Sequence, residues 1–442
     1  MQGLFSYDLS DKLELSFLGN IASNKYQLVP ESRETDFGTV NQAKRLTIYF
    51  DGQEVDRYLT YLGGLTATYK PDRNTRLKLI ASGYNSQESE TYDMLGQYWI
   101  GDIESNLASE NFGDVVESQS VGAELTHARN EMNVRVFNLA HKGTSEFGSS
   151  LMQWGVKFQH EEVDDQMNEW ILIDSAGYTL PRPTDSIGYS DPSAQPFIPF
   201  ELYDIIRTSQ TISSNLYTAL LQNSWGVVYG SNLAFTLVVR ANYWDYNKQL
   251  VVSPRATISF KPEWEKDILF RLSAGMYYQP PFYKELKNLD GTINADQKAQ
   301  SSFHIVAASD WNFKAWDRPF KFVTEVYYKY LGSLVPYLID NVRIRYYAFE
   351  QSTGYSTGID LKVSGEFVPG IESWASLSVM GTREDIVGDF YYDEDGNRVE
   401  PGYIPRPTDQ RVNFSLFFQD YLPKNPTYKM SLTLIFGSSL PF

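Results

Sequence analysis

At 442 residues the chain exceeds one ordinary soluble domain, so its length allows two or three soluble domains or one large closed sheet. A formal charge of −17 excludes the clustered Lys and Arg of a nucleic-acid surface, and the absence of cysteine excludes disulfides, thiolate metal sites and a Cys nucleophile. Mean hydropathy is negative and no run of 18 or more apolar residues occurs, which excludes helical membrane spans.

The predicted elements are strands throughout. Gly3 to Leu9 and Leu13 to Ala22 form a hairpin across Ser10-Asp11-Lys12, and a long polar loop follows. Thr60 to Lys70 and Arg76 to Gly83 flank the turn Pro71-Asp72-Arg73-Asn74-Thr75, rich in turn formers. Tyr92 to Ile103 reads as a further strand, and Ser120 to Ala128 pairs with Met132 to Ala140 across Arg129-Asn130-Glu131. Leu151 to His160 precedes the longest irregular stretch, Glu161 to Thr211. Asn215 to Val227 and Leu233 to Trp244 then form a hairpin, followed by Val252 to Lys261 and Ile268 to Tyr278. Phe303 to Trp311, Phe320 to Tyr330, Tyr355 to Phe367, Trp374 to Met380, Arg411 to Tyr421 and Met430 to Phe436 complete about eighteen strands.

The alternation is clearest from Tyr355 to Phe367. Tyr355, Thr357, Ile359, Leu361 and Val363 share one face, and Ser356, Asp360, Lys362 and Ser364 share the other. Successive strand side chains point to opposite sides, so one face suits hydrocarbon and the other water. Repeated from end to end, with 15% aromatic residues available for two interfacial girdles, this pattern predicts an all-β, antiparallel transmembrane β-barrel. Connections alternate between short turns and long loops, as in barrels with short periplasmic turns and long extracellular loops. With short turns periplasmic, the first strand runs downward and the last upward. A barrel with both termini periplasmic needs at least one more strand at each end.

Little in the sequence suggests catalysis, and no enzyme is expected. His127, His141, His160 and His304 are scattered, with no partner at metal-ligand spacing. Asp393-Glu394-Asp395-Gly396-Asn397 is an imperfect calcium loop, since Arg398 occupies the sixth position where glycine is needed; a solvated loop tip explains it better. No Gly-x-Ser-x-Gly elbow separates a strand from a helix. No metal or cofactor is therefore assigned. The string Pro-Arg-Pro-Thr-Asp occurs at 181–185 and again at 405–409, holding Arg182 and Arg406 on stiff backbone where an anionic ligand group would find them. The alternative is that paired prolines only stiffen a returning loop. Trp170, Tyr178, Tyr391 and Tyr392 lie in presumed extracellular stretches as candidate substrate contacts, with packing of loop on loop as the alternative.

Over essentially its whole length, and most strongly from Leu151 onward, the chain resembles the barrel of TonB-dependent outer-membrane receptors of the Bacteroidetes type. The resemblance rests on FRLSAGMYYQPPFYKEL (270–286), on the stretch from Glu325 to Met380 with EVYYKYLGSLVPYLIDNVRIRYYAFE and GYSTGIDLKVSGEFVPGIESWASLSVM, and on IPRPTDQRVNFSLFFQDYLP (404–423). It implies a twenty-two-stranded barrel in the bacterial outer membrane, filled by an N-terminal plug and energised through a TonB complex. It also implies active uptake of a nutrient such as a siderophore, peptide or glycan, with a surface lipoprotein as a possible partner. The chain departs from that pattern: MQGLFSYDLS is no secretory signal, and neither a plug nor a TonB-contacting segment is present. Pro441 removes a ladder donor near the end. Residues 1–442 are accordingly read as an incomplete barrel, strands two to nineteen of twenty-two, with plug and terminal strands absent. Two rivals stand beside uptake: a passive porin, secretion or adhesion barrel, and a soluble carbohydrate-binding or hydrolytic β-protein such as a propeller, whose four-strand period is not found.

Overall fold

The computed structural model describes residues 1–39, 42–174, 201–228, 232–340, 343–422 and 425–441. In chain order these form β1 (Gln2–Ser10), β2 (Leu13–Leu28), β3 (Arg33–Thr39), β4 (Gln42–Tyr69), β5 (Thr75–Ile103), β6 (Val115–Phe147), β7 (Ser150–Asp174) and β8 (Glu201–Val228). There follow β9 (Asn232–Trp244), β10 (Gln249–Lys261), β11 (Asp267–Gln279), a single helical turn α1 (Tyr283–Leu286), β12 (Gln300–Ala315), β13 (Arg318–Leu334), β14 (Tyr337–Asp340) and β15 (Arg343–Tyr346). The chain continues with β16 (Ser352–Val368), β17 (Ile371–Ile386), β18 (Tyr391–Tyr392), β19 (Arg398–Val399), β20 (Ile404–Pro405), β21 (Val412–Leu422) and β22 (Asn425–Gly437).

Eighteen of these strands form one antiparallel sheet. Its long strands make a simple meander. β1 pairs with β2, β2 with β4, and each strand from β4 to β13 with the next; β13 then pairs with β16, β16 with β17, β17 with β21 and β21 with β22. β3 folds back on β4, and β20 adds a short bridge to β17. β14 with β15 and β18 with β19 are separate ribbons. Among the described residues no pairing joins β1 to β22.

Register sorts the side chains into two faces. Across β9 to β17, Val239 faces Pro254, Ile258 faces Leu272, Ile305 faces Tyr328, Val326 faces Ile359 and Ile359 faces Val379, one continuous apolar outer surface. Ile258, Leu272, Ile305, Val326 and Val379 are all exposed, so this face packs against nothing in the chain. Aromatic rows bound the belt. Phe303, Tyr330 and Tyr355 lie side by side at one edge, and Trp311 beside Phe322 and Phe260 beside Phe270 mark the other. On β13, Phe322 and Tyr330 are separated by about 27 Å of strand, or about 20 Å along the normal at a tilt near 40°, a fit to the hydrocarbon thickness that outer-membrane barrels span. The opposite face carries Arg240, Arg255, Arg271, Asp310, Glu325 and Asp360, the hydrated inside of a barrel wall.

Two expected boundaries are corrected. Ser120 to Ala128 and Met132 to Ala140 are not a hairpin but parts of the single strand β6, and Tyr92 to Ile103 continues β5. The described parts of the polar stretches after Ala22 and after His160 are largely strand: β2 runs to Leu28, β4 begins at Gln42, β7 reaches Asp174 and β8 begins at Glu201. Above the belt neither face needs to be apolar, so alternation fades although the ladder continues. The expected direction of the chain holds. Short turns at 11–12, 70–74, 148–149, 262–266, 316–317 and 369–370 share one side, β1 running towards it and β22 away. The other side carries the long connections, with the short link at 245–248 as an exception.

Candidate functional site

A cluster of buried apolar side chains lies inside the wall at the loop side. Connection 280–299 enters the barrel as α1, whose Tyr283 and Leu286 pack on Val163, Ile212 and Trp244 of β7, β8 and β9. Leu286 and Val163 are each only 1% exposed. Burying an apolar side chain of that size contributes about 1.5–3 kcal/mol, so this loop is fixed by packing as well as by polar contacts. Phe282 N–H donates to the Glu285 carboxylate at 2.9 Å, and Gln300 donates to the same group at 2.7 Å. Tyr283 Oη and Lys287 Nζ both donate to Asp165 Oδ2, at 2.6 and 2.8 Å. Burial, followed by the Asp165 carboxylate, pushes the Tyr283 hydroxyl far above its ordinary range, and burial also raises Glu285.

The second inserted connection is the β14–β15 ribbon. Asn294 Nδ2 donates to Ala348 O at 2.7 Å, tying the two loops together. From this ribbon Arg343 crosses to the β4, β5 and β7 wall. Its Nε lies 2.8 Å from Glu90, its terminal nitrogens lie 3.6 Å from Glu54 and from Glu169, and one donates to Tyr92 Oη at 3.2 Å. The guanidinium also sits 4.8 Å over the Tyr92 ring. Arg345 donates to Glu169 at 2.7 Å. On the wall, Asn130 Nδ2 donates to both Glu90, at 2.8 Å, and Glu169, at 2.6 Å. That bridge explains why a turn-like triplet is strand: Asn130 faces the lumen between two carboxylates on neighbouring strands.

Asp56 completes the group. Carboxylate oxygens of Glu54, Asp56 and Glu90 lie within 4.8 Å of one another. Burial raises the pKa of Glu54 against the pull of Arg343, and burial with the Glu90 charge raises Asp56. All three stand outside the belt, since Glu54 is roughly 18 Å above the level of outward-facing Tyr61 along the barrel normal. A cavity of about 460 Å³ opens beside Arg343, lined by Glu54, Asp56, Glu90, Asp165 and Lys287 among others. The arrangement is a charged vestibule that a small polar ligand can enter and that holds a cationic group by ion pairs, an aromatic face and a hydroxyl.

Trp170 stacks on His127 at 4.4 Å between ring centroids, and His127 Nδ1 lies 2.5 Å from Asp93 Oδ1. Tyr391 and Tyr392 are exposed at the β18–β19 tip, where Tyr392 meets Phe390 edge to face. Arg406 lies 3.5 Å from the buried Glu384, with its guanidinium 5.7 Å from the Tyr337 ring. Within the same string Pro405 pairs with Arg383, and Asp409 accepts from the Thr382 N–H at 2.7 Å, so Pro405 to Asp409 docks a loop onto β17. Tyr178 and Arg182 lie outside the described residues. The structure thus brings together Glu54, Glu90, Glu169, Tyr92 and Arg343, which sequence reasoning did not select. A signal existed: alternate carboxylates at 54 and 56 and at 88 and 90, and the Arg-Ile-Arg at 343–345.

No family model matches the chain, and no curated protein is similar to it in sequence. Several solved structures are similar in fold. The outer membrane transporter YddB from Escherichia coli aligns over 96% of this chain and 68% of its own at 10% identity, with a TM-score of 0.45. The siderophore receptor PiuA from Acinetobacter baumannii aligns over 92% and 62% at 12% identity and a TM-score of 0.45. The RagAB peptide transporter aligns over 95% and 57% at 9% identity and a TM-score of 0.39. The chain spans between 57% and 68% of the length of these three.

Proposed function

We propose that this chain is the barrel wall of a bacterial outer-membrane receptor that takes up a nutrient, a siderophore, peptide or glycan, by active transport. The observation that carries this reading is the exposed apolar belt between two aromatic rows on a sheet whose other face is charged. Such a surface is stable where lipid covers it and water fills the inside. The long connections then face outward, and the vestibule of Arg343 stands where an external ligand arrives. A wall of this many strands encloses a lumen too wide for side chains to fill, so gated uptake calls for a plug and an energy-coupling partner of the TonB kind. Under this reading other polypeptide segments supply the plug and pair with the open edges of β1 and β22, residues 1–442 being one portion of the barrel. A surface lipoprotein over the vestibule belongs to the same proposal, as do ligand contacts by Trp170, Tyr178, Arg182, Tyr391, Tyr392 and Arg406.

The test has two stages. The expressed chain is expected in the detergent-resistant outer-membrane fraction, floating with lipid vesicles; recovery as a monodisperse protein in buffer without detergent would overturn the reading. In cells whose growth depends on the receptor, uptake is expected to stop when a protonophore collapses the inner-membrane gradient. Continued uptake would favour a passive porin.

A further inference from the structure

The β14–β15 ribbon is held in the vestibule chiefly by charge. β14 pairs only with β15 among the described strands, and Ile339 and Ile344 are about half exposed, so apolar burial fixes the base of the ribbon, at Val335 and Ala348, and not the part that carries Arg343. Its reach to the far wall is made by Arg343 and Arg345, contacting residues far away in sequence. The receiving group is more acidic than the ribbon is basic: Glu54, Asp56, Glu90 and Glu169 face Arg343 and Arg345. Withdrawal of the ribbon would take both Arg343 and Arg345 from the buried carboxylates and leave Glu90 and Glu169 with Asn130 alone, a state that another cation relieves. Their geometry, two or three carboxylates around one face and an aromatic ring on the other, is what a planar guanidinium or a compact ammonium needs.

We propose that the β14–β15 ribbon is a lid latched by Arg343, and that a ligand bearing a guanidinium or ammonium group opens it by taking the place of Arg343 among Glu54, Glu90, Glu169 and Tyr92. The neighbouring cavity of about 460 Å³ receives the rest of such a molecule, within the size range of small-ligand sites. The inference rests on the vestibule facing outward, and it narrows the nutrient to a cationic one. Arg343 is a tethered competitor, so it lowers the apparent affinity for that ligand and keeps the lumen covered in its absence.

The absence of cysteine makes the test direct. Ile339→Cys in the full chain, refolded into lipid vesicles, accepts a single nitroxide label at an exposed position of the lid outside the cavity lining. Agmatine, carrying one guanidinium and one ammonium, is expected to mobilise the label at a concentration at least tenfold below the sodium chloride concentration that does the same. In the added variant Arg343→Gln the label is expected to be mobile from the start, and agmatine to bind at least tenfold more tightly by calorimetry. A label indifferent to agmatine, an equal response to sodium chloride, or an Arg343→Gln lid as immobile as the parent would overturn the proposal. Should Arg343→Gln fail to refold, the agmatine titration of the parent decides alone. Vesicle flotation of the same sample reports the membrane reading separately, so a floating sample with an indifferent label sinks the lid and spares the barrel.

Discussion

Asn130 shows how one side chain settles the course of a strand. Read alone, Arg129-Asn130-Glu131 is turn chemistry, yet its centre is the donor that two carboxylates on adjacent strands share. Asn130→Ala removes that donor and leaves Glu90 and Glu169 to Arg343 and Arg345 alone. The expected cost is about 1–3 kcal/mol in urea unfolding from vesicles, the price of unsatisfied buried acceptors. Asp56 predicts the opposite sign. Its Oδ1 is buried and accepts no hydrogen bond, and burial together with Glu90 raises its pKa. A carboxyl with a raised folded-state pKa favours folding when protonated; that advantage is complete below the unfolded pKa and is lost as pH rises through the folded one. Asp56→Asn, a mimic of the protonated form, should therefore stabilise the chain at pH 7, by no more than about 1 kcal/mol for a partly exposed charge. The gain should shrink as pH falls through the folded-state pKa and vanish below about pH 3.9, the ordinary unfolded value. Thermal melts at the two pH values read both outcomes, and a variant less stable at pH 7 than its parent would show that the Asp56 charge is favourable.

Individual strands were legible where lipid imposes a pattern and illegible where it does not. Tyr355 to Val363 could be placed from alternation alone, because a slip of one residue would turn Asp360 and Lys362 into the membrane. The upper parts of β4, β5, β6 and β7 carry polar residues on both faces, so Arg129-Asn130-Glu131 looked like a break and the candidate site above the belt went unseen. No sequence spacing links Arg343 to Glu54 or Glu90; only the reach of the β14–β15 ribbon across the lumen brings them together. The same asymmetry predicts mutational tolerance. Ile359 lies midway between Tyr355 and Val363, flanked by Val326 and Val379 on the outer face. Ile359→Lys should cost about 2–4 kcal/mol in refolding into vesicles, as charges at the middle of a lipid-facing barrel surface do. Asp360→Asn, one residue along and turned inward, should change stability by less than about 0.5 kcal/mol. Equal effects at both positions would mean that this strand has no lipid face.

At the scale of the molecule the two outermost strands decide how the wall behaves. Among the described residues β1 is paired only through β2 and β22 only through β21, and apolar side chains stand exposed on both, among them Leu4, Phe5, Leu432, Leu434 and Phe436. Water can satisfy such an edge, at the risk of aggregation, but hydrocarbon cannot: every backbone donor and acceptor at membrane depth must find a partner. β1 and β22 run in opposite directions relative to the turn side, so each can accept an antiparallel neighbour, whether a further strand or, by closure of the meander, each other. Hydrogen–deuterium exchange of the 442-residue chain in vesicles separates these cases. If other strands cover the edges in the intact receptor, outward amides of β1 and β22 in this chain alone should exchange orders of magnitude faster than those of β11 and β12, which have partners on both sides. Protection in β1 and β22 equal to that in β11, retained at high dilution of protein in lipid, would show that the meander seals on itself, and the need for strands from elsewhere would fall.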